Sequence, residues 1–294
     1  MFDFRYHAVS LVAVLVALVV GLLLGVAIGD AGLVSSAEKS VRESLRDDIK
    51  KANDRAATTQ KQLDAEQRYS AAAYPLLVAG RLDGLKIGLV FLGAPSESVA
   101  ADVRAALVGT NGRLVGILAV REPPDLRALS DAAGPSRYSA IADDPTLLEP
   151  FGRRIGIQLV QGGALLRSEA DALFATRSGT LGPFDAIVVY RKPPDLEGEA
   201  KQQTSDLENG LMRGVTDNPV AAVGVEQTTT DPSQVTWYRD RNLSSVDNID
   251  QRAGRAALVF ALSGATGSFG VGPQAESLLP GPESVTPAAA AAGG

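Results

Sequence analysis

The residues best placed to do chemistry are charged groups that follow short apolar runs. Residues Arg121 to Leu126 (REPPDL) and Arg191 to Leu196 (RKPPDL) form a near-identical pair, each directly after such a run. Two prolines stop an extended segment, and a carboxylate just beyond them suits the cap of a following helix, so structure explains most of the repeat. What remains is Arg121, Arg191 and Lys192 at strand ends, with Glu226, Asp231 and Asp247 after neighbouring apolar runs. In an open parallel sheet, ligands bind outside the carboxyl ends of the strands. Arg121, Asp125, Arg191, Lys192, Asp195, Glu226 and Asp247 are therefore the expected mixed-charge rim on which a partner would dock.

Other chemistry is poorly provided for. The chain has no cysteine, a single histidine, His7, and two methionines, Met1 and Met212, so thiolate ligands and thiol nucleophiles are excluded and no Ser-His-Asp set can form away from the N-terminus. The first apolar run leads into a segment with one glycine, Gly93, rather than GxGxxG, and GxxxxGK[ST] does not occur. Glycines 264, 267 and 270 follow a helical pattern and open none, which reads as a turn. Asp143 with Asp144 and Asp247 with Asp250 are better explained by capping and solvation than by a divalent cation. With 28 basic and 34 acidic residues the formal charge is −6, which offers nucleic acid no basic field. The expectation is a non-enzyme with no cofactor, no metal ligand and no nucleic-acid partner.

Three kinds of element must position these residues. Ala8 to Ile28 carries no charge and about fourteen Leu, Ile and Val, which matches the roughly twenty apolar residues that cross a ~30 Å hydrocarbon layer as a helix. Residues 1–30 are read as a transmembrane anchor. A cleaved signal peptide is the competing reading, with Ala27 and Gly29 spaced like a cleavage site, although the apolar run is longer than such peptides carry. Ala13, Ala17, Gly21, Gly25 and Gly29 recur every fourth residue and include two consecutive GxxxG matches. A groove of that kind lets helices approach closely, so the membrane and either a second copy or another membrane protein are the expected partners. Lys39 and Arg42 beyond the run compete with Arg5 before it in setting orientation, and a single pass with the bulk of the chain outside the cytoplasm is the favoured arrangement.

Residues 31–80 are polar and helical, with a thin seam of Leu45, Ile49, Ala52, Ala56 and Leu63 that also holds Thr59, Glu66 and Ser70. They read as a stalk with a weak coiled-coil pattern. From 81 to 280 apolar runs at 85–92, 114–120, 186–190 and 220–225 alternate with amphipathic segments, and a short fifth strand is expected at 245–246. Strands apolar on both faces, alternating with helices, predict a doubly wound, mostly parallel sheet of flavodoxin-like or Rossmann-like order. The segment 125–181 exceeds one crossover and reads as an extra helical insert. Residues 281–294 are Pro, Ala and Gly with little else and read as a disordered tail.

The opening Arg5 to Leu11 (RYHAVSL), running into the glycine-striped anchor, resembles the start of the actinobacterial MctB family of copper transport or outer-membrane proteins. Further matches are Gly224 to Gln227, Asp231 to Gln234, Ser244 to Asp250, Gly254 to Leu262 and Leu278 to Pro280, so the likeness spans nearly the whole chain. The resemblance implies an envelope protein with an accessory role in copper transport or homeostasis. It does not supply ligands, because Cu(I) prefers thiolate or thioether and Cu(II) imidazole, and Met1, His7 and Met212 are too few and too scattered. Nor does the pattern look like a β-barrel pore, which needs many alternating strands of about ten residues. A scaffold that docks a partner in wall assembly or division is the alternative expectation.

Overall fold

The computed structural model describes residues 4–30 and 33–281. It falls into two compact units, 1–68 and 69–294. The first holds α1 (Phe4–Asp30) and most of α2 (Leu33–Val78). Helix α1 contains the one stretch among the described residues, Tyr6–Ile28, that is long and apolar enough to cross a membrane. Its valines and leucines are exposed all round, which is the character of a helix whose solvent is lipid. Along α2 the seam residues Leu45, Ile49 and Leu63 are likewise exposed. The helix runs through Pro75. A proline so near the last turn removes one helical hydrogen bond, and that end is fastened otherwise: Val78 is fully buried and the Tyr74 hydroxyl donates to the Ala106 carbonyl at 2.9 Å.

The second unit is an α/β sandwich, and its elements run β1 (Lys86–Gly93), α3 (Glu97–Leu107), β2 (Arg113–Val120), α4 (Leu126–Ala132), α5 (Leu148–Gln161), α6 (Ala164–Leu173), β3 (Phe174–Gly179), β4 (Ala186–Lys192), α7 (Gly198–Thr216), β5 (Ala221–Val225), α8 (Val235–Arg239), β6 (Ser244–Val246), α9 (Arg252–Leu262) and β7 (Ser268–Phe269). The seven strands lie in the order β3-β2-β1-β4-β5-β6-β7. All pair in parallel except β3, which is antiparallel to β2. Taken alone, the six parallel strands follow the flavodoxin-like order, and β3 occupies the position a third parallel strand holds in a Rossmann sheet.

The inner strands are apolar on both faces because both are covered. Ile87, Leu89 and Phe91 of β1 face a core built with α3 and α9, while Val90 and Leu92 face one built with α5 and α7. Two expectations are corrected. The insert is not wholly helical, since α6 ends at Leu173 and Phe174–Gly179 forms the edge strand; five of its six residues are exposed, so no apolar run marked it. The glycine-rich segment 264–270 is not only a turn, because Ser268 and Phe269 add β7 beside β6. The tail expected at 281–294 lies, from residue 282 on, outside the described residues.

The tightest contact in this unit is between α5 and α7. Gly152 and Gly156 on α5 meet Gly210 and Gly214 on α7, and a Cβ at Gly152 would stand 2.6 Å from the Leu207 carbonyl oxygen, with similar collisions at the other three. The two backbones touch where side chains would hold them apart.

Candidate functional site

Parallel pairing brings the ends of β2, β1, β4, β5 and β6 into line, so Arg121, Gly93, Lys192, Glu226 and Asp247 follow one another along the carboxyl edge. The expected rim is thus gathered on one edge, but its members divide into two groups. Arg121, Asp125, Lys192 and Asp195 are exposed. Arg191, Glu226 and Asp247 turn inward and are spent on one another's loops.

Arg191 is the centre of the inward group. Its guanidinium donates to Glu208 Oε1 at 2.9 Å and to Oε2 at 3.0 Å, and to Gln234 Oε1 at 2.6 Å. It also stacks on Trp237 at 4.6 Å, whose ring faces Arg241 as well, at 3.9 Å. The Arg191 backbone N–H donates to the hydroxyl of Tyr238, the largest fully buried side chain, and that hydroxyl donates to the Val225 carbonyl. A fork-on-carboxylate pair at 2 % exposure on the Glu208 side is a built-in structural ion pair.

Glu122, one residue beyond Arg121, was not singled out in the sequence. Its two carboxyl oxygens are buried and have no hydrogen-bond partner among the described residues. Burial first, then the neighbouring Glu208, push Glu122 up to about 9, with Arg191 pulling the other way. Glu208 is also raised by burial, and there the bonded Arg191 opposes it. Arg191 bonds Glu208 directly, so the cation opposes the rise more strongly at Glu208 than at Glu122. Gly93 shapes this corner: its φ of +95° suits glycine, and a side chain there would run into the Lys192 carbonyl and come within 3.4 Å of Glu122 Oε2.

The acidic end of the edge is equally committed. Glu226 accepts from the Gln234 N–H at 2.6 Å and from the Ser233 hydroxyl at 2.7 Å, and burial raises it, with Asp247 adding to the rise. Asp247 accepts from the Val271 and Gly272 N–H groups, both at 2.8 Å. Asp250 accepts from Thr228, and Asp144 from Thr146, which is the loop and cap role expected of them. Of the two repeat aspartates, Asp125 caps α4 by accepting from Ala128 N–H at 3.0 Å. Asp195 does not cap α7, whose cap position is Glu197, two residues on. The two segments are near-identical in sequence, but the second loop is longer before its helix starts.

Above the β4 and β5 ends lies a shallow polar cleft of about 330 Å³, lined by Tyr190, Lys192, Thr230, Asp231, Pro232 and Gln234. Among the described residues no three His, Cys, Asp or Glu side chains are grouped to hold an ion, and Met212 is fully buried in the core. The stripe residues Ala13, Ala17, Gly21 and Gly25 lie on an exposed helix, and a Cβ at Gly21 or Gly25 would meet nothing within 4 Å. The surroundings of Gly29 are outside the described residues.

One candidate membrane span among the described residues, a flavodoxin-like sheet and an edge whose inner charges are held by side chains and backbone N–H groups define a protein of α/β class with an apolar N-terminal helix. The chain belongs to the MctB family, copper transport outer membrane protein, which matches residues 1–280. It is thus a copper transport-related membrane envelope protein. No curated protein matches the chain.

Proposed function

We propose that this chain serves copper transport as an accessory protein, held by α1 with its α/β domain outside the cytoplasm, and that it acts through protein contacts without catalysing a reaction or coordinating copper itself. The observation that carries this reading is the donor set. Copper sites are built from thiolate, thioether and imidazole, whereas the chain has no cysteine, His7 beside the apolar helix, and Met212 sealed in the core. At the sheet edge Glu208 is bound to arginine and Glu226 and Asp247 to backbone N–H groups, which leaves Arg121, Asp125, Lys192 and Asp195 as the exposed members of the rim that a partner could meet.

The test is growth of a deletion strain across a copper series, with complementation by the full chain. Copper-dependent growth, rescued equally by the wild type and by Met212→Leu, supports an accessory role without thioether ligation. A defect in cell shape or envelope permeability at every copper level would instead favour a scaffold in wall assembly or division, which the family does not favour.

A further inference from the structure

We propose that Glu169 makes α6 a proton-operated latch on the edge of the sheet: with its carboxyl neutral, α6 and β3 stay seated, and with it ionised the helix comes away and releases Arg121. Glu169 is on the buried face of α6 with Leu166, Ala170 and Leu173, at the spacing of one helical stripe. Its residue exposure is 0 %, and neither carboxyl oxygen has a hydrogen-bond partner among the described residues. An apolar side chain would be expected there, because a buried carboxylate without donors is costly while the neutral acid is far less so.

The helix is held at both ends by polar tethers. At its start the buried Gln158 of α5 accepts from the Leu166 N–H at 2.8 Å, taking the place of a local cap. At its end the Leu173 carbonyl accepts from the Arg121 backbone N–H at 2.8 Å, and the Ala172 carbonyl from Arg121 Nε at 3.1 Å. The chain then enters β3, the antiparallel strand that covers the edge of β2. Unseating α6 therefore frees Arg121, an exposed cation of the carboxyl rim, and loosens the outermost strand.

No charged group bonds to the Glu169 carboxyl among the described residues. The charged groups on the elements around α6 are Arg121 after β2, Arg127 and Asp131 on α4, Glu149, Arg153 and Arg154 on α5, Arg177 on β3, and Arg167 and Asp171 on α6 itself, and all are exposed except the half-buried Glu149. Arg121 is bonded to the Ala172 and Leu173 carbonyls, Arg177 is paired with Asp171, Arg153 with Asp217 and Glu149 with Arg213, and none of the nine bonds to Glu169. Burial alone raises the Glu169 carboxyl to about 7. Because the seated form holds its proton more tightly than the released form, seating is favoured at low pH and loses stability as pH rises from the ordinary carboxyl range through 7.

The experiment is hydrogen exchange by mass spectrometry on the full chain in detergent from pH 5.5 to 8.5, corrected for the intrinsic pH dependence of amide exchange. In the wild type, protection over residues 164–179 should fall on the order of tenfold more than in Glu169→Gln across that range, while α7 keeps its protection. Glu169→Met, which needs no hydrogen bond, provides a second pH-independent reference if the amide variant folds poorly. Wild-type protection over 164–179 that does not fall with pH overturns the latch, however the variants behave, and so does an equal fall in wild type and variant.

Discussion

At the scale of single residues, the carboxyl edge separates charges that hold the fold from charges that face solvent. Arg191 and Glu208 are the first kind, so Arg191→Met should leave Glu208 buried without its cation at a cost of about 3–5 kcal/mol. Thermal unfolding should register this as a fall on the order of 10 °C, whereas Lys192→Ala, on the exposed side of the same strand end, should move the midpoint little. Glu122 supplies a pH signature. Its folded-state value is raised, to about 9, so it contributes stability in acid that is lost as pH climbs from about 4.5 towards 9. Glu122→Gln keeps the shape without the ionisable proton, and denaturant titrations at pH 6 and pH 8.5 should show the wild type losing more stability than the variant between the two. Arg191 was visible in the sequence as a strand-end cation, but its inward course was not. The residues that claim it, Glu208 on α7 and Gln234 before α8, stand 17 and 43 positions away, and no local pattern joins them.

At the scale of elements, the same small-residue spacing serves two solvents. In α1 it was plain, because Gly21 and Gly25 interrupt an otherwise apolar run. In α5 and α7 it lies inside ordinary amphipathic segments, FGRRIG and NGLMRG, yet there it sets the closest helix pair of the α/β unit. Gly156→Ala gains up to about 1 kcal/mol of helix propensity. The added methyl must nonetheless open a backbone contact with Leu211, at about 1–3 kcal/mol, and Gly156→Val removes the propensity gain. Both variants should unfold at lower denaturant than the wild type, valine the lower. For α1 the expectation is a proposal about pairing. Gly25→Leu fills a groove that is open within the chain and should weaken self-association without weakening insertion. Crosslinking through a cysteine introduced at Leu45 in α2 measures it, and equal yields with and without the leucine would mean that the stripe does not pair.

For the whole molecule, α1 supplies the one candidate span among the described residues, and the orientation proposed here puts Tyr69 onward outside the cytoplasm. Protease added to intact spheroplasts should then remove the α/β domain, and its protection until lysis would reverse the topology. The sequence by itself determined the anchor, the long polar helix, the alternation of strands and helices and the family likeness. Each of these is local or periodic: an uncharged run matched to a bilayer, apolar strands a few residues long, and motifs contiguous in the chain. Tertiary structure decided the rest, because it depends on contacts between distant residues. It placed β3, almost wholly exposed, antiparallel at the edge; it drew Arg191, Glu226 and Asp247 inward from a rim that composition would leave in water; and it left Glu122 and Glu169 buried. A carboxylate reads as a surface group in any sequence, since ionisation favours water, and only packing from elements elsewhere in the chain can hold it under the surface and raise its affinity for a proton.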